Sequence, residues 1–349
     1  MKEIDVAGRK IGYGNPCFIV AEAGVNHNGD LRLAKRLVEA AQQAGADAVK
    51  FQTWMTEKLV VSDAQMAEYQ KQNLGKEGSQ FEMLKQLELS YGQFQELKSF
   101  ADQRNFLFFS TPDEEDSADF LEQLGVMLFK IGSGEVTNLP FLRHVALKGK
   151  PIILSTGMST LGEVEAAVQT IEETGNRQLI LLQCVSSYPA EPADCNLRAM
   201  DTLAAAFGHL VGFSDHTLGV EVAVAAVARG ACVVEKHLTL DKTLPGPDHR
   251  ASLDPGEFAA MVRAIHLVES ALGDGVKRPV LSELEAKKVV QKAIVTAKAI
   301  RAGEIIGPSD LALRRTSGGL SPRYLDLIVG RKARHDISAN QTISLDMLE

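Results

Sequence analysis

Gly212 to Asp248 reads GFSDHTLGVEVAVAAVARGACVVEKHLTLDKTLPGPD, and the way it alternates apolar and polar runs decides the fold. One apolar run closes in Ser214-Asp215-His216, a nearly uncharged Val/Ala segment with helical spacing follows, and a second apolar run, Ala231 to Val234, closes in Glu235-Lys236-His237. This is strand, loop, helix, strand, loop. If the two strands are parallel neighbours, their C-terminal ends emerge on the same face, so His216 and His237 converge although 21 positions apart. Either histidine alone would read as an ordinary polar strand-end residue. Two in register, flanked by Ser214, Asp215, Lys236 and Asp248, form a candidate metal pair.

Working outward, the same unit recurs from the start of the chain. Cys17 to Ala21 ends in Glu22 and leads through a polar loop into helical spacing from Leu31 to Ala44. AVKFQTW precedes a long insert and a helix near Tyr91 to Arg104, LFFSTP a helix near Ser117 to Leu124, and MLFKIGSGE one near Leu139 to Leu147. PIILSTG and LILLQCVSSYP lead into helices near Gly162 to Glu173 and Leu197 to Phe207, and Glu257 to Leu272 closes the series. Eight apolar runs alternating with helix-period segments predict an α/β fold, a closed (β/α)8 TIM barrel, because parallel strands covered on both faces carry unbroken apolar sequence. An open doubly wound sheet is the competing arrangement, but no G-x-G-x-x-G follows the first strand. Residues 1–275 are assigned to the barrel, 276–290 to a charged, Pro-containing connector, and 291–349 to a small mixed β domain punctuated by Gly-Glu, Gly-Pro and Gly-Gly.

Composition narrows the partners. A chain of 349 residues with 45% hydrophobic and 23% charged content is an ordinary globular protein with a large core. A formal net charge of −8 without a Lys/Arg run argues against a nucleic-acid partner, so any anion is held by a focused site. No apolar stretch approaches the roughly 20 residues of a membrane span and MKEIDVAGRK holds no signal core, which predicts a cytoplasmic protein. Cys17, Cys184, Cys195 and Cys232 show no C-x-x-C spacing and read as reduced, mostly buried thiols.

Active sites of such barrels lie at the C-terminal strand ends. There the polar residues gather: Glu22, Lys50, Gln52, Ser110, Thr111, Lys130, Ser133, Glu135, Ser155, Ser186, Tyr188, Ser214, His216 and His237. Helix capping accounts for Ser110-Thr111 or Ser155-Thr156 taken singly. It does not account for Lys50 and Lys130, because an ammonium in an apolar run is costly unless it meets an anion or a carboxylate. With hydroxyls, Gly132, Gly134 and Gly157 nearby, an oxyanion such as phosphate explains both lysines better than structural Lys–Glu pairs do. Arg314 and Arg315, beside Ser317-Gly318-Gly319, read from composition as a solvated face.

The motifs AEAGVNHNGD, AVKFQTW, KIGSGE, ILSTGM, QCVSSYP, GFSDHT and EKHLTLDKTLPGPDHRAS, with the closing module, resemble the sialic acid synthase family with its C-terminal antifreeze-like (SAF) domain, over nearly the whole chain. The resemblance implies a transferase that condenses phosphoenolpyruvate, with C–O cleavage, with an N-acetylated amino sugar of the N-acetylmannosamine type and water, giving a nine-carbon sialic acid and phosphate. An N,N'-diacetyllegionaminate synthase acting on 2,4-diacetamido-2,4,6-trideoxymannose is the alternative within the family, and a non-catalytic carbohydrate-binding protein the alternative of another class. Carried over by position, Lys50, Thr111, Lys130, Ser133, Ser155, Ser186 and Ser214 would hold the phosphate and carboxylate of phosphoenolpyruvate. His216 and His237 would hold a divalent metal; nitrogen and oxygen donors without cysteine suit Mn2+, with Mg2+ or Co2+ acceptable. Gln52, Glu135, Tyr188 and Asp248 would face the sugar, and Glu22 or Asp248 would handle the water. Arg315 would reach the sugar from the other subunit of a domain-swapped homodimer. Three positions depart from the family's usual pattern: Asp113 stands where Phe is frequent, Val185 where Thr is, and Arg315-Thr316-Ser317-Gly318-Gly319 where R-P-G-x-G is usual.

Overall fold

The computed structural model describes residues 3–74 and 78–349, which divide into two compact units, one up to Gly273 and one from Asp274. The first opens on a hairpin that the sequence reading did not anticipate, β1 (Glu3–Val6) antiparallel to β2 (Arg9–Gly12), turned by Ala7 and Gly8 at positive φ. Eight parallel strands follow: β3 (Phe18–Gly24), β4 (Ala48–Thr53), β5 (Leu107–Pro112), β6 (Phe129–Ile131), β7 (Ile152–Ser155), β8 (Leu179–Cys184), β9 (Leu210–Asp215) and β10 (Val233–His237). Their hydrogen-bonded order is β5-β4-β3-β10-β9-β8-β7-β6. The end strands β5 and β6 lie side by side. No ladder joins them among the described residues, so the barrel closes in space and its hydrogen bonding stays open along one seam.

The period of two along a strand sorts the side chains into two cores. Outward residues such as Ile19, Ala21, Val49, Phe51, Leu154 and Val234 pack under the helices in the larger core. Inward residues Phe18, Val20, Ala48, Phe109, Leu128, Ile153, Leu182 and Val233 fill the barrel, joined by Ile4, Val6 and Ile11 of the hairpin, which caps its N-terminal end. The next inward positions up the strands are Glu22, Lys50, Thr111, Lys130, Ser155, Ser214 and Glu235. A polar layer therefore sits on an apolar plug.

The helices begin where their sequences provide caps. Reciprocal capping boxes start Tyr91–Asp102 (Ser90 with Gln93), Leu161–Glu173 (Thr160 with Glu163) and Pro255–Leu272 (Asp254 with Glu257). The long insert after β4 folds into short helices at Thr56–Leu59, Glu68–Leu74 and Gln80–Leu87, gathered around Val25, Trp54, Met66 and Met83. The second unit pairs β11 (Lys292–Thr296) antiparallel with β12 (Leu311–Arg315) over an isoleucine-rich core of Ile294, Ile300, Ile306, Ile328, Ile337 and Ile343. All four cysteines are free and buried. No described helix is long and apolar enough to cross a membrane.

Candidate active site

The polar layer opens into a cavity of about 390 Å³ lined by Glu22, Lys50, Gln52, Thr111, Lys130, Ser133, Ser155, Ser186, Tyr188, Ser214, His216 and His237. Twelve of the residues singled out from sequence thus converge. Glu135 does not line the cavity; its Oε2 accepts from Asn138 Nδ2 at 2.6 Å. Asp248 also stands back from the lining, buried behind His237 with Oδ2 3.8 Å from Nδ1. Arg315 belongs to the second unit, where it ends β12 exposed to solvent. Ser110 points away from the cavity, its hydroxyl 2.7 Å from that of Thr53.

Strands β9 and β10 are parallel neighbours with Asp215 opposite Lys236, so His216 and His237 follow equivalent positions, as the reading from the opening stretch expects. Their ring centroids lie 5.4 Å apart, and Tyr188 packs 4.1 Å from the first and 5.5 Å from the second. His216 Nδ1 lies 2.6 Å from the Val185 carbonyl and donates to it, which leaves the lone pair on Nε2. Burial pushes His216 down to about 4 and His237 well below its usual range, so both rings are neutral at pH 7. His237 Nδ1 is buried without a hydrogen-bond partner. Neutral rings with lone pairs to give are the donor set a divalent cation takes. No group of three or more His, Cys, Asp or Glu side chains forms a cage among the described residues, so any cation held here would take only these two side chains from such a set.

The lysines meet carboxylates as well as hydroxyls. Lys50 Nζ lies 2.9 Å from Glu22 Oε2, donates to Thr111 Oγ1 at 3.0 Å and stands 3.8 Å from Glu235 Oε1. The nearest carboxylate oxygen to Lys130 Nζ is Glu235 Oε1 at 3.4 Å. The Lys–Glu pairing that the sequence reading set against an anion is therefore present, and it leaves Lys130 with donors to spare. Burial drives Lys130 below its usual range, whereas for Lys50 the nearby Glu22 and Glu235 outweigh burial and hold it above. Burial also pushes the Glu22 carboxyl up to about 8, against the pull of Lys50. In the ladder Glu22 faces His237 on one side and Lys50 on the other, and its Oε1 accepts from Gln52 Nε2 at 3.1 Å. It sits between the imidazole pair and the cationic end.

Beyond the lysines, neutral donors finish the cationic end. Gly157 N donates to Ser133 Oγ at 3.0 Å, and a Cβ at Gly157 would fall 2.5 Å from Ser186 Oγ and 2.9 Å from Ser133 Oγ. Only a glycine lets the β7 loop come this close to both serines.

Two lining carboxyl residues escaped the sequence reading of the site. Glu235 lies inside the barrel, where Lys130 and Lys50 overcome burial and hold its carboxyl below the usual range, and Ser214 donates to its Oε1 at 3.1 Å. The signal was its parity with His237, two residues on, whereas Lys236 has the opposite parity and points outward to Asp215. Asp113, noted from sequence only as a departure from the usual pattern, also lines the cavity.

Comparison with known proteins now bears on this arrangement. The NeuB family model matches residues 37–277 and the SAF domain model residues 291–349. The chain belongs to the NeuB family. As a NeuB-family chain it is 47% identical over 342 residues to the N,N'-diacetyllegionaminic acid synthase of Legionella pneumophila, covering 97% of this chain and 96% of that one. It is 36% identical over 345 residues to human N-acetylneuraminate-9-phosphate synthase, covering 98% and 95%. Among solved structures, the spore coat polysaccharide biosynthesis protein SpsE of Bacillus subtilis aligns over 99% of both chains at 34% identity and TM-score 0.68. These NeuB-family relatives include named synthases, and the present chain is an enzyme of that transferase kind.

Proposed function

We propose that the protein condenses phosphoenolpyruvate with the open-chain aldehyde of an N-acetylated amino sugar and water, releasing a nine-carbon 2-keto acid and inorganic phosphate. The observation that carries this reading is the place of Glu22, in one ladder between Lys50 at the cationic end and His237 of the imidazole pair. Lys50, Lys130, Thr111 and the serines Ser133, Ser155, Ser186 and Ser214 hold the phosphate and carboxylate. These donors are fixed before substrate arrives, so they stabilise charge without reorganising. A C–C bond forms from the enol carbon to the aldehyde carbon, whose oxygen takes a proton. Water adds to the phosphate-bearing carbon, and the C–O bond to phosphate breaks. Glu22, held up to about 8, gives its proton to the aldehyde oxygen and takes one back from that water, and the second water proton leaves with phosphate as the keto group forms; Asp248, held up to about 6 by burial, lies behind His237. Gln52 and Tyr188 line the sugar's side of the cavity.

His216 and His237 fit a divalent cation, most suitably Mn2+, which when bound supplies Lewis-acid polarisation of the aldehyde.

On the acceptor, the two relatives named N,N'-diacetyllegionaminic acid synthase stand at 47% and 43% identity, above the human enzyme at 36%, which favours 2,4-diacetamido-2,4,6-trideoxymannose as a second reading beside N-acetylmannosamine. The working unit is a homodimer in which Arg315 reaches the partner's cavity, in keeping with the exposure of Val276, Val280, Leu281, Leu284, Val289 and Val290 along the connector. We place it in the cytoplasm.

A phosphate-release assay with phosphoenolpyruvate, Mn2+ and both sugars tests this. Release should require acceptor, stop on chelation and return with Mn2+. Phosphate released equally without sugar would make the protein a phosphatase, and full turnover in excess chelator would remove the metal from the scheme.

A further inference from the structure

Asp113 extends the end of β5, its backbone N–H donating to Thr53 O at 3.1 Å, and its carboxyl borders the same cavity as Lys50 and Lys130. The other two lining carboxylates are engaged: Glu22 with Lys50 and Gln52, Glu235 with Ser214 and Lys130. Asp113 is different. No side-chain hydrogen bond or ion pair of Asp113 exists among the described residues, and the groups that act on it are Lys50, Glu135, Glu114 and Lys130. A partly buried carboxyl without a partner is an unused acceptor in the lining of the cavity. It adds a third carboxyl to Glu22 and Glu235, within electrostatic reach of Lys50 and Lys130.

We propose that Asp113 selects the acceptor: it takes a hydroxyl or amide hydrogen of an uncharged amino sugar and disfavours an acceptor that carries a phosphate ester. This rests on the synthase reading above. The phosphate and carboxylate of phosphoenolpyruvate engage the lysine end, where two ammonium groups and a set of hydroxyls meet them. A second phosphate, on the acceptor, finds no lysine or arginine of its own chain beyond Lys50 and Lys130 among the described lining residues, and it meets the Asp113 carboxyl instead. Once ionised, as pH rises above about 7, Asp113 repels a second phosphate in this partly desolvated cavity by about tenfold or more in affinity. Burial keeps the Asp113 carboxyl up near neutrality, to about 7, so it can also donate a hydrogen bond to a sugar oxygen.

The test uses the full-length protein and three acceptors: N-acetylmannosamine, its terminal phosphate ester, and 2,4-diacetamido-2,4,6-trideoxymannose. For each, kcat and KM are measured in wild type, Asp113→Asn and Asp113→Ser, with competitive inhibition replacing turnover where an acceptor is not converted. Wild type should favour an uncharged acceptor over the ester by at least about tenfold. Both substitutions should narrow that preference by about tenfold, raise the KM for the uncharged sugar several-fold and leave the KM for phosphoenolpyruvate within about twofold. A merely structural role for Asp113 would move all acceptors together. An unchanged preference in either folded variant overturns the proposal while leaving the synthase reading intact, and so does a wild type that prefers the ester. Wild-type protein that neither converts nor is inhibited by any of the three overturns both.

Discussion

Asp113 keeps a carboxyl partly buried with no partner among the described residues, and such a group costs stability wherever it ionises. Its folded value, about 7, lies above the ordinary 3.8, so its favourable contribution is fully present below about 4 and is lost as pH rises through 7. Asp113→Asn removes that loss. Urea unfolding should show the variant more stable than wild type at pH 8 by about 1–3 kcal/mol, with the two curves converging near pH 4. Equal stabilities at pH 8 would mean that the carboxyl is well solvated and its environment has been misread. The residue scale also shows what sequence conveys. His216 and His237 announced themselves as a pair in register, and Lys50 and Lys130 as ammonium groups in apolar runs that need an anion or carboxylate. Glu235 did not, because the reading stopped at strand ends, whereas the side chain that balances both lysines sits one pleat lower.

At the scale of elements, the catalytic geometry depends on β9 and β10 staying in register, and the structure devotes a buried ion pair to it. Lys236 Nζ donates to Asp215 Oδ2 at 2.8 Å and to Thr217 O at 2.6 Å, with both charged side chains fully buried outside the barrel. Beneath them Gly212 admits the Val233 carbonyl at a spot where a Cβ would come within 2.4 Å, so the strands are drawn close by an absent side chain as well as by charge. Lys236→Met leaves Asp215 buried and unpaired and should cost about 3–5 kcal/mol in unfolding free energy. The double variant with Asp215→Leu should recover part of that loss, giving a coupling energy in a double-mutant cycle. Strictly additive losses would argue against a direct pair. The strands themselves were legible because parallel, doubly covered strands are written as unbroken apolar runs. The hairpin was not, since EIDV and RKIG are four-residue strands of mixed character that owe their structure to the barrel end they close.

For the whole molecule, the boundary read at residue 275 and the compact units meeting at Gly273–Asp274 differ by two residues, because the last helix of the first unit ends at Leu272 and Gly273 turns out of it at positive φ. What the sequence of one chain does not convey is which barrel an arm serves. If Arg315 acts across a two-fold dimer, mixing Lys50→Ala with Arg315→Ala chains creates heterodimers with one intact site each, and complete random exchange should restore about a quarter of wild-type turnover. Each variant must first be inactive and dimeric alone. A mixture as inactive as its parents, with exchange verified by mass, would assign the arm to its own barrel or to no role in turnover.

The seam between β5 and β6 has a consequence for the timing of motions. Thr111 stands on one bank and Lys130 on the other, so an anion held by both links two strands that share no ladder. Without that link, amide hydrogens on the two banks should trade with deuterated solvent sooner than those of β3 and β10, which are bonded on both sides. Adding phosphoenolpyruvate should slow β5 and β6 selectively, so that substrate completes the hoop of the barrel that the backbone leaves unfastened.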